Sequence, residues 1–223
     1  MFSHHSAELG EVRLHYVTAG SGARALVLLH GWPQSWWEWR RIMPALAEHF
    51  TVIAPDMRGL GDSSCPPGGY DKATVANDIW RLMSEVLGYQ NFYLVGHDWG
   101  GPVAYALAHA HMEAVEKLAI LDVVVPFGSA DDLTWGGKRW HHGFHWVQDL
   151  PEALVSGRER MYLSWFYNNL AYNPAAISPE DIDEYARAYS RPGVLRAGFE
   201  YYRATTTDIA DNNENKKTPL TMP

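Results

Sequence analysis

A single cysteine, Cys65, excludes any disulfide within this 223-residue chain and fits a reducing compartment. Lysine and arginine are few and nowhere clustered. They number 18 against 26 acidic residues, a formal charge of -8 at pH 7, so no patch exists to neutralise a row of phosphates or an anionic bilayer. Nucleic acid and membrane surfaces are therefore not expected partners. No run approaches the ~18 apolar residues of a membrane span, and Met1 to Gly20 lacks the apolar stretch of a signal peptide, so the expectation is a cytoplasmic protein. Charged residues are also scarce at 20%, while 47% of the chain is hydrophobic, enough for one substantial core. That balance excludes a disordered tail.

What is present has an order. Residues 1–125 alternate short β-branched or Leu-rich runs with amphipathic helical patterns, which predicts an α/β fold: a mostly parallel sheet flanked by helices. Residues 11–17 alternate like an antiparallel edge strand. Ala25 to Leu29, Thr51 to Ala54, Phe92 to Val95 and Leu118 to Val125 read as strands. Trp39, Ile42, Met43, Leu46 and Phe50 share one predicted helical face; Val75, Ile79, Leu82, Met83 and Val86 share a second; a third helix begins near Gly100. From 126 to 215 the pattern becomes aromatic-rich and helical, with Trp135, Trp140, Trp146 and Trp165, and reads as an inserted lid over the carboxyl ends of the strands, where open α/β sheets bind ligands. Residues 216–223 read as the approach to a further core strand.

The central chemical signal is Gly96-His97-Asp98-Trp99-Gly100, between a buried strand and a helix. A strained strand-to-helix turn with small residues on both sides lifts one side chain above the sheet. Here that side chain is a carboxylate, suited to attack on alkyl carbon through a covalent ester. Taken alone, Asp98 could equally be a helix N-cap. Upstream, however, stand His30-Gly31-Trp32-Pro33-Gln34 and Asp56-x-Arg58-Gly59-x-Gly61-x-Ser63. Together with the elbow, these motifs resemble, in order and spacing, the α/β-hydrolase superfamily in its epoxide hydrolase and dehalogenase branch. The likeness is greatest to bacterial epoxide hydrolases with a His/Tyr ring-opening pair.

The resemblance implies a cofactor-independent α/β-hydrolase fold with Asp98 as nucleophile and the amides of Trp32 and Trp99 as the oxyanion hole. It also implies Asp122, 24 residues after Asp98, as the relay acid, and Tyr202 with His141 as the pair that activates the ring oxygen. His145 or Trp146 takes the position of His141 if the lid alignment slips. His30 and Trp146 are expected at the substrate site. His141, His142 and His145 also have the spacing of metal ligands, but no Glu follows His141 as a zinc-protease motif requires, and no metal is expected.

The implied substrate is a small apolar epoxide or organohalide. Haloalkane dehalogenases usually carry Asn where Trp32 stands, and fluoroacetate dehalogenases carry arginines where Trp99 and Pro102 stand, so a haloalkane or haloacid dehalogenase using the same Asp98 is the second reading. A non-catalytic, ligand-binding form of the fold is the third. In the family the base histidine follows the final strand, whereas the last histidine here is His145. The expectation is a core lacking its last strands and helix, in which ester hydrolysis is very slow. No pattern encodes the oligomeric state.

Overall fold

The computed structural model describes residues 2–129, 134 and 136–223; Trp135 lies outside the described residues. Six strands form one sheet: β1 (Ser3–Glu8), β2 (Arg13–Ala19), β3 (Ala25–Leu29), β4 (Thr51–Pro55), β5 (Phe92–His97) and β6 (Val115–Leu121). Their spatial order is β1-β2-β4-β3-β5-β6. β4, β3, β5 and β6 are mutually parallel, while β1 and β2 pair antiparallel with each other and β2 pairs antiparallel with β4.

Strand β3 is buried at every residue, because Ala25-Leu26-Val27-Leu28-Leu29 sends apolar side chains to both faces of the sheet. The two-residue period divides them. Val27 and Leu29 enter the larger core with Ile53, Val103 and Leu107, and Leu26 and Leu28 enter a smaller one with Val52, Trp36, Trp39 and Met43. The antiparallel strand expected over residues 11–17 lies at Arg13–Ala19 and does not form the edge. β1 does, and its Ser-His-His-Ser-Ala-Glu sequence, exposed except at Ala7, has no apolar period to announce it. β6 begins and ends earlier than expected, since Asp122 takes φ +51° and turns the chain out of the extended region.

Between β3 and β4 the expected single helix is broken into a 3-10 turn over Trp36–Arg41 and a short α1 (Met43–Leu46). Pro44 has no N–H for a longer helix and is tolerated only in a first turn. Ile42, placed on the expected apolar face, is 47% exposed instead. Helix α2 (Lys72–Arg81) is capped by Asp71, whose carboxylate accepts from the Thr74 amide. Helix α3 (Gly100–Ala110) follows β5 directly and packs against α2.

After β6 come α4 (Trp140–Trp146), α5 (Leu150–Val155), α6 (Glu159–Leu170), α7 (Pro179–Tyr189), α8 (Val194–Arg203) and α9 (Thr205–Asn215). Of these, α6, α7 and α8 enter the larger core through Leu163, Phe166, Tyr185, Tyr189, Phe199 and Tyr201. Asp181 fastens them near β3. It caps α7 with Ser178 and accepts from Trp37 Nε1 at 3.1 Å and Arg41 at 2.8 Å, with Arg40 paired to the same carboxylate. At the chain's far end the Leu118 amide of β6 donates to the Pro223 carbonyl at 3.0 Å, and Leu220 and Met222 pack on the core. Among the described residues no helix is long and apolar enough to cross a membrane.

The loop that follows β4 is held by a buried fork. Arg58 donates Nε to Asp78 Oδ2 at 2.7 Å and Nη2 to Oδ1 at 2.9 Å, and accepts from Tyr201 on its own carbonyl. Removing one partner strands the other charge in the core. Asp78→Ala is expected to lose about 3–5 kcal/mol in urea unfolding, and Arg58→Met with Asp78→Leu together much less than that. Equal losses in the single and double variants would refute the pairing.

Candidate active site

Asp98 stands at the top of β5 with φ +46°, a left-handed conformation uncommon for a side chain-bearing residue. The turn closes only because its neighbours are small. A Cβ on Gly96 would lie 2.1 Å from the Gly100 carbonyl oxygen, and one on Gly100 would lie 2.4 Å from that of Leu29. The loop after β3 comes equally near: a Cβ on Gly31 would sit 2.3 Å from the Asp98 Cβ. That approach lets the Trp32 amide donate to Asp98 Oδ1 at 2.9 Å. The Trp99 amide, at the start of α3, also holds the carboxylate.

Two adjoining cavities, of about 290 and 250 Å³, open on Asp98. Both are lined by Asp98, Asp122, His141, Leu170 and Tyr202; Trp99, Lys138, Arg139 and His142 border the larger, and Trp32, His97, Phe166 and Tyr167 the smaller. Aromatic walls predominate. The Trp32 ring meets those of His145, Phe166 and Tyr202 at 4.6, 4.9 and 5.5 Å, and Trp99 meets Tyr202 edge-on at 4.9 Å.

Charge in this space is arranged by burial and pairing. Burial pushes the Asp98 carboxyl above the usual carboxylate range, opposed by the His97 imidazolium, the two tryptophan amides and Arg139. Burial disfavours a charged His97 too, but Glu38 at 3.3 Å, aided by Asp98 and Asp122, holds its pKa up to about 9. The helical-segment histidines go the other way. Burial, with Arg139 nearby, lowers His141 to about 4; burial, His141, Arg139 and Lys72 lower His142 to about 3. Burial drives Tyr202 well above its ordinary value, and the Asp98 charge adds to the effect. Near neutral pH the site thus presents a fixed cation at His97 and neutral donors at His141, His142 and Tyr202.

The structure brings together Asp98, Asp122, His141, Tyr202, Trp32 and Trp99. It does not bring His30 or Trp146 to either cavity. His30 is fully buried, its Nδ1 at 2.9 Å from the Gly31 carbonyl and its Nε2 accepting from the Met57 amide. Trp146 is 41% exposed at the end of α4. His145, the alternative to His141, is buried behind the cavity, stacked on Phe199 at 4.4 Å with Nε2 on the Tyr162 hydroxyl. Among the described residues its Nδ1 and the Trp32 Nε1 have no hydrogen-bond partner. Sequence reasoning missed His142, Leu170, Lys138 and Arg139 as lining residues; only their neighbourhood to His141 hinted at the first.

Among the described residues, the ligand atoms of His141, His142 and His145 do not gather as a metal-holding group. Among the described residues the group whose ligand atoms do come within 4.8 Å of one another is His15, Asp56 and Asp62. There, Asp56 is already occupied by the amides of Trp36 and Asp62 and by His15.

The Glu38 pairing has a measurable sign. A histidine raised in the folded state adds stability that is fully present below its unfolded pKa and is lost as pH rises through the folded value. By NMR, His97 is expected to titrate near 9, and in Glu38→Gln below that; an unmoved titration would show that Glu38 does not hold the proton.

A family profile described as "alpha/beta hydrolase fold" matches residues 24–172. The soluble epoxide hydrolase of Corynebacterium sp. (strain C12) is 45% identical over 99% of this chain and 79% of its own length, and the fluoroacetate dehalogenase of Burkholderia sp. is 32% identical over 92% and 70%. Among solved structures, the ligand-free epoxide hydrolase CorEH superposes with a TM-score of 0.93 at 45% identity, covering 100% of this chain and 80% of that one. Cfl2 from Burkholderia cenocepacia gives 0.90 at 42%, covering 100% and 78%. With sheet order, elbow and these likenesses in agreement, the chain belongs to the α/β-hydrolase fold family.

Proposed function

We propose that this chain carries the alkylating half-reaction of an epoxide hydrolase, with Asp98 as nucleophile. The observation that carries the reading is the Asp98 carboxylate in its left-handed turn, Oδ1 on the Trp32 amide, facing Tyr202 and His141 across one cavity. A carboxylate oxygen of Asp98 attacks an epoxide carbon, the carbon–oxygen ring bond breaks, and its electron pair goes to the ring oxygen. Tyr202 and neutral His141 donate hydrogen bonds to that oxygen as charge develops. The product is an alkyl ester of Asp98. The helices from 126 to 215 act as the lid that supplies these donors and keeps water out.

Ester hydrolysis needs a base for the attacking water. Near Asp98, the described residues offer His97, held protonated up to about 9, and His141 and His142, lowered to about 4 and 3. None of these is poised near neutral pH. Asp122, at the end of β6, lines both cavities and would orient and charge-stabilise a base histidine that these residues do not include. Residues 1–223 by themselves should therefore accumulate the ester. The aromatic walls favour an apolar or aryl epoxide.

A carbon–halogen bond could be displaced by the same Asp98, and the fluoroacetate dehalogenase likeness keeps that reading in the test. Its weakness is the absence of arginines at Trp99 and Pro102. A purely ligand-binding form would show neither reaction. Intact-mass measurement after incubation with styrene oxide is expected to show one added equivalent, absent in Asp98→Ala and formed at least about 100-fold more slowly in Tyr202→Phe, the lower range for loss of a proton-donating side chain. No adduct and no diol would refute the reading; halide release from an organohalide without epoxide opening would replace it with dehalogenation.

A further inference from the structure

Lys72 opens α2 and is wholly inside the protein, 2% exposed. Its Nζ lies 2.7 Å from Asp208 Oδ2 on α9, donates to the Tyr201 carbonyl on α8, and stands 4.1 Å over the centre of the Trp99 ring. Its backbone amide donates to the other oxygen of Asp208 at 2.8 Å. One side chain on α2 thus touches both of the last two helices and the residue that follows Asp98. A lysine is costly to bury, and an apolar residue could fill this volume.

We propose that Lys72 is a positioning residue for the alkylation step: its ammonium pins the Trp99 ring, whose amide holds Asp98, and ties that turn to the helix carrying Tyr202. The proposal rests on Asp98 being the nucleophile. The cation works through two physical contacts. Over the indole face it is attracted by the ring quadrupole, more strongly for being dry, and this fixes the ring that meets Tyr202 at 4.9 Å. Through Asp208 and the Tyr201 carbonyl it fixes α8 at the residue before Tyr202. Burial lowers the lysine's proton affinity, while Asp208, Asp71 and Asp98 oppose that loss.

The same cation is part of the field on Asp98. Among the described residues, the charged or titratable groups around that carboxylate are His97 on β5, Asp122 after β6, Lys138 and Arg139 before α4, His141 and His142 within it, Tyr167 on α6, Tyr189 on α7, Tyr202 on α8, and Lys72 beneath Trp99. Removing a positive charge from this set raises the pH at which Asp98 becomes protonated and unreactive. A bolt that served only to hold helices together would leave that pH unmoved.

The test measures single-turnover ester formation with styrene oxide against pH, by intact mass, in Lys72→Met with Asp208→Leu, in Lys72→Gln and in Lys72→Arg. The double variant replaces the ion pair with apolar groups of similar bulk, and so should stay folded. It is expected to alkylate roughly ten-fold more slowly, the order of effect of one dry cation–ring contact, with the acid limb of its profile little moved, because the Asp208 charge leaves with that of the lysine. Lys72→Gln, which removes the cation and keeps Asp208, is expected to alkylate more slowly with the acid limb moved to higher pH. Lys72→Arg is expected to return the limb to its original position. Wild-type rate in the folded double variant, or an unmoved limb in folded Lys72→Gln, overturns the proposal. An adduct that persists in Asp98→Ala would instead defeat the nucleophile reading on which it rests.

Discussion

The contact on which the rest of this structure depends is the near-collision of two strand ends, where Gly31 and Asp98 leave no room for a Cβ between them. Because β3 and β5 are parallel neighbours, with Leu29 opposite Gly96, the loops that leave them emerge side by side. The glycines at 31, 96 and 100 let them touch. Once they touch, the Trp32 amide has one place to point, the Asp98 carboxylate, and the backbone of Asp98 is forced left-handed. Strain of this kind costs on the order of 1–3 kcal/mol, and it is tolerated because both strands are fully engaged in the sheet.

Around that contact the protein places its buried charges in pairs that join distant stretches of chain. Glu38 with His97 links the 3-10 turn to β5, Arg58 with Asp78 links the β4 loop to α2, Lys72 with Asp208 links α2 to α9, and Asp181 gathers Arg40, Arg41 and Trp37. Each pair fixes geometry that apolar packing alone would leave free to slide. The first also keeps a positive charge beside Asp98, which partly offsets the penalty of burying it.

Much of this was readable in the sequence where local chemistry and tertiary placement coincide. The apolar runs at 25–29 and 51–54 became strands, the glycines around Asp98 announced a tight turn, and the motif order assembled Asp98, Trp32, Trp99 and Asp122 at one place. Legibility failed where no local period exists. β1 is polar on nearly every residue and is a strand only because β2 offers it an edge. His30 stands beside the Gly31–Trp32 loop in sequence yet points into the core, since its ring satisfies two backbone groups there. Trp146 differs from His141 by little more than one helical turn, and that rotation decides between solvent and cavity. Lys72 carried no signal at all: a lysine after an N-cap aspartate reads as solvated surface until α8 and α9 are seen to cover it.

The ring nest around Trp32 bears on how such a site can change over generations. Trp32 is surrounded by His145, Tyr162, Phe166, Tyr189, Phe199 and Tyr202, so one wall of the cavity is also the centre of the core. Trimming a ring there to admit a larger substrate would open a hole in the scaffold and leave its neighbours unsupported. The larger cavity is also lined by Val123, Val124, Pro126 and Leu170, with Val124 and Leu170 half exposed or more. Exchanging residues there therefore disturbs folding less than trimming a ring on the aromatic side, which is shared with the core.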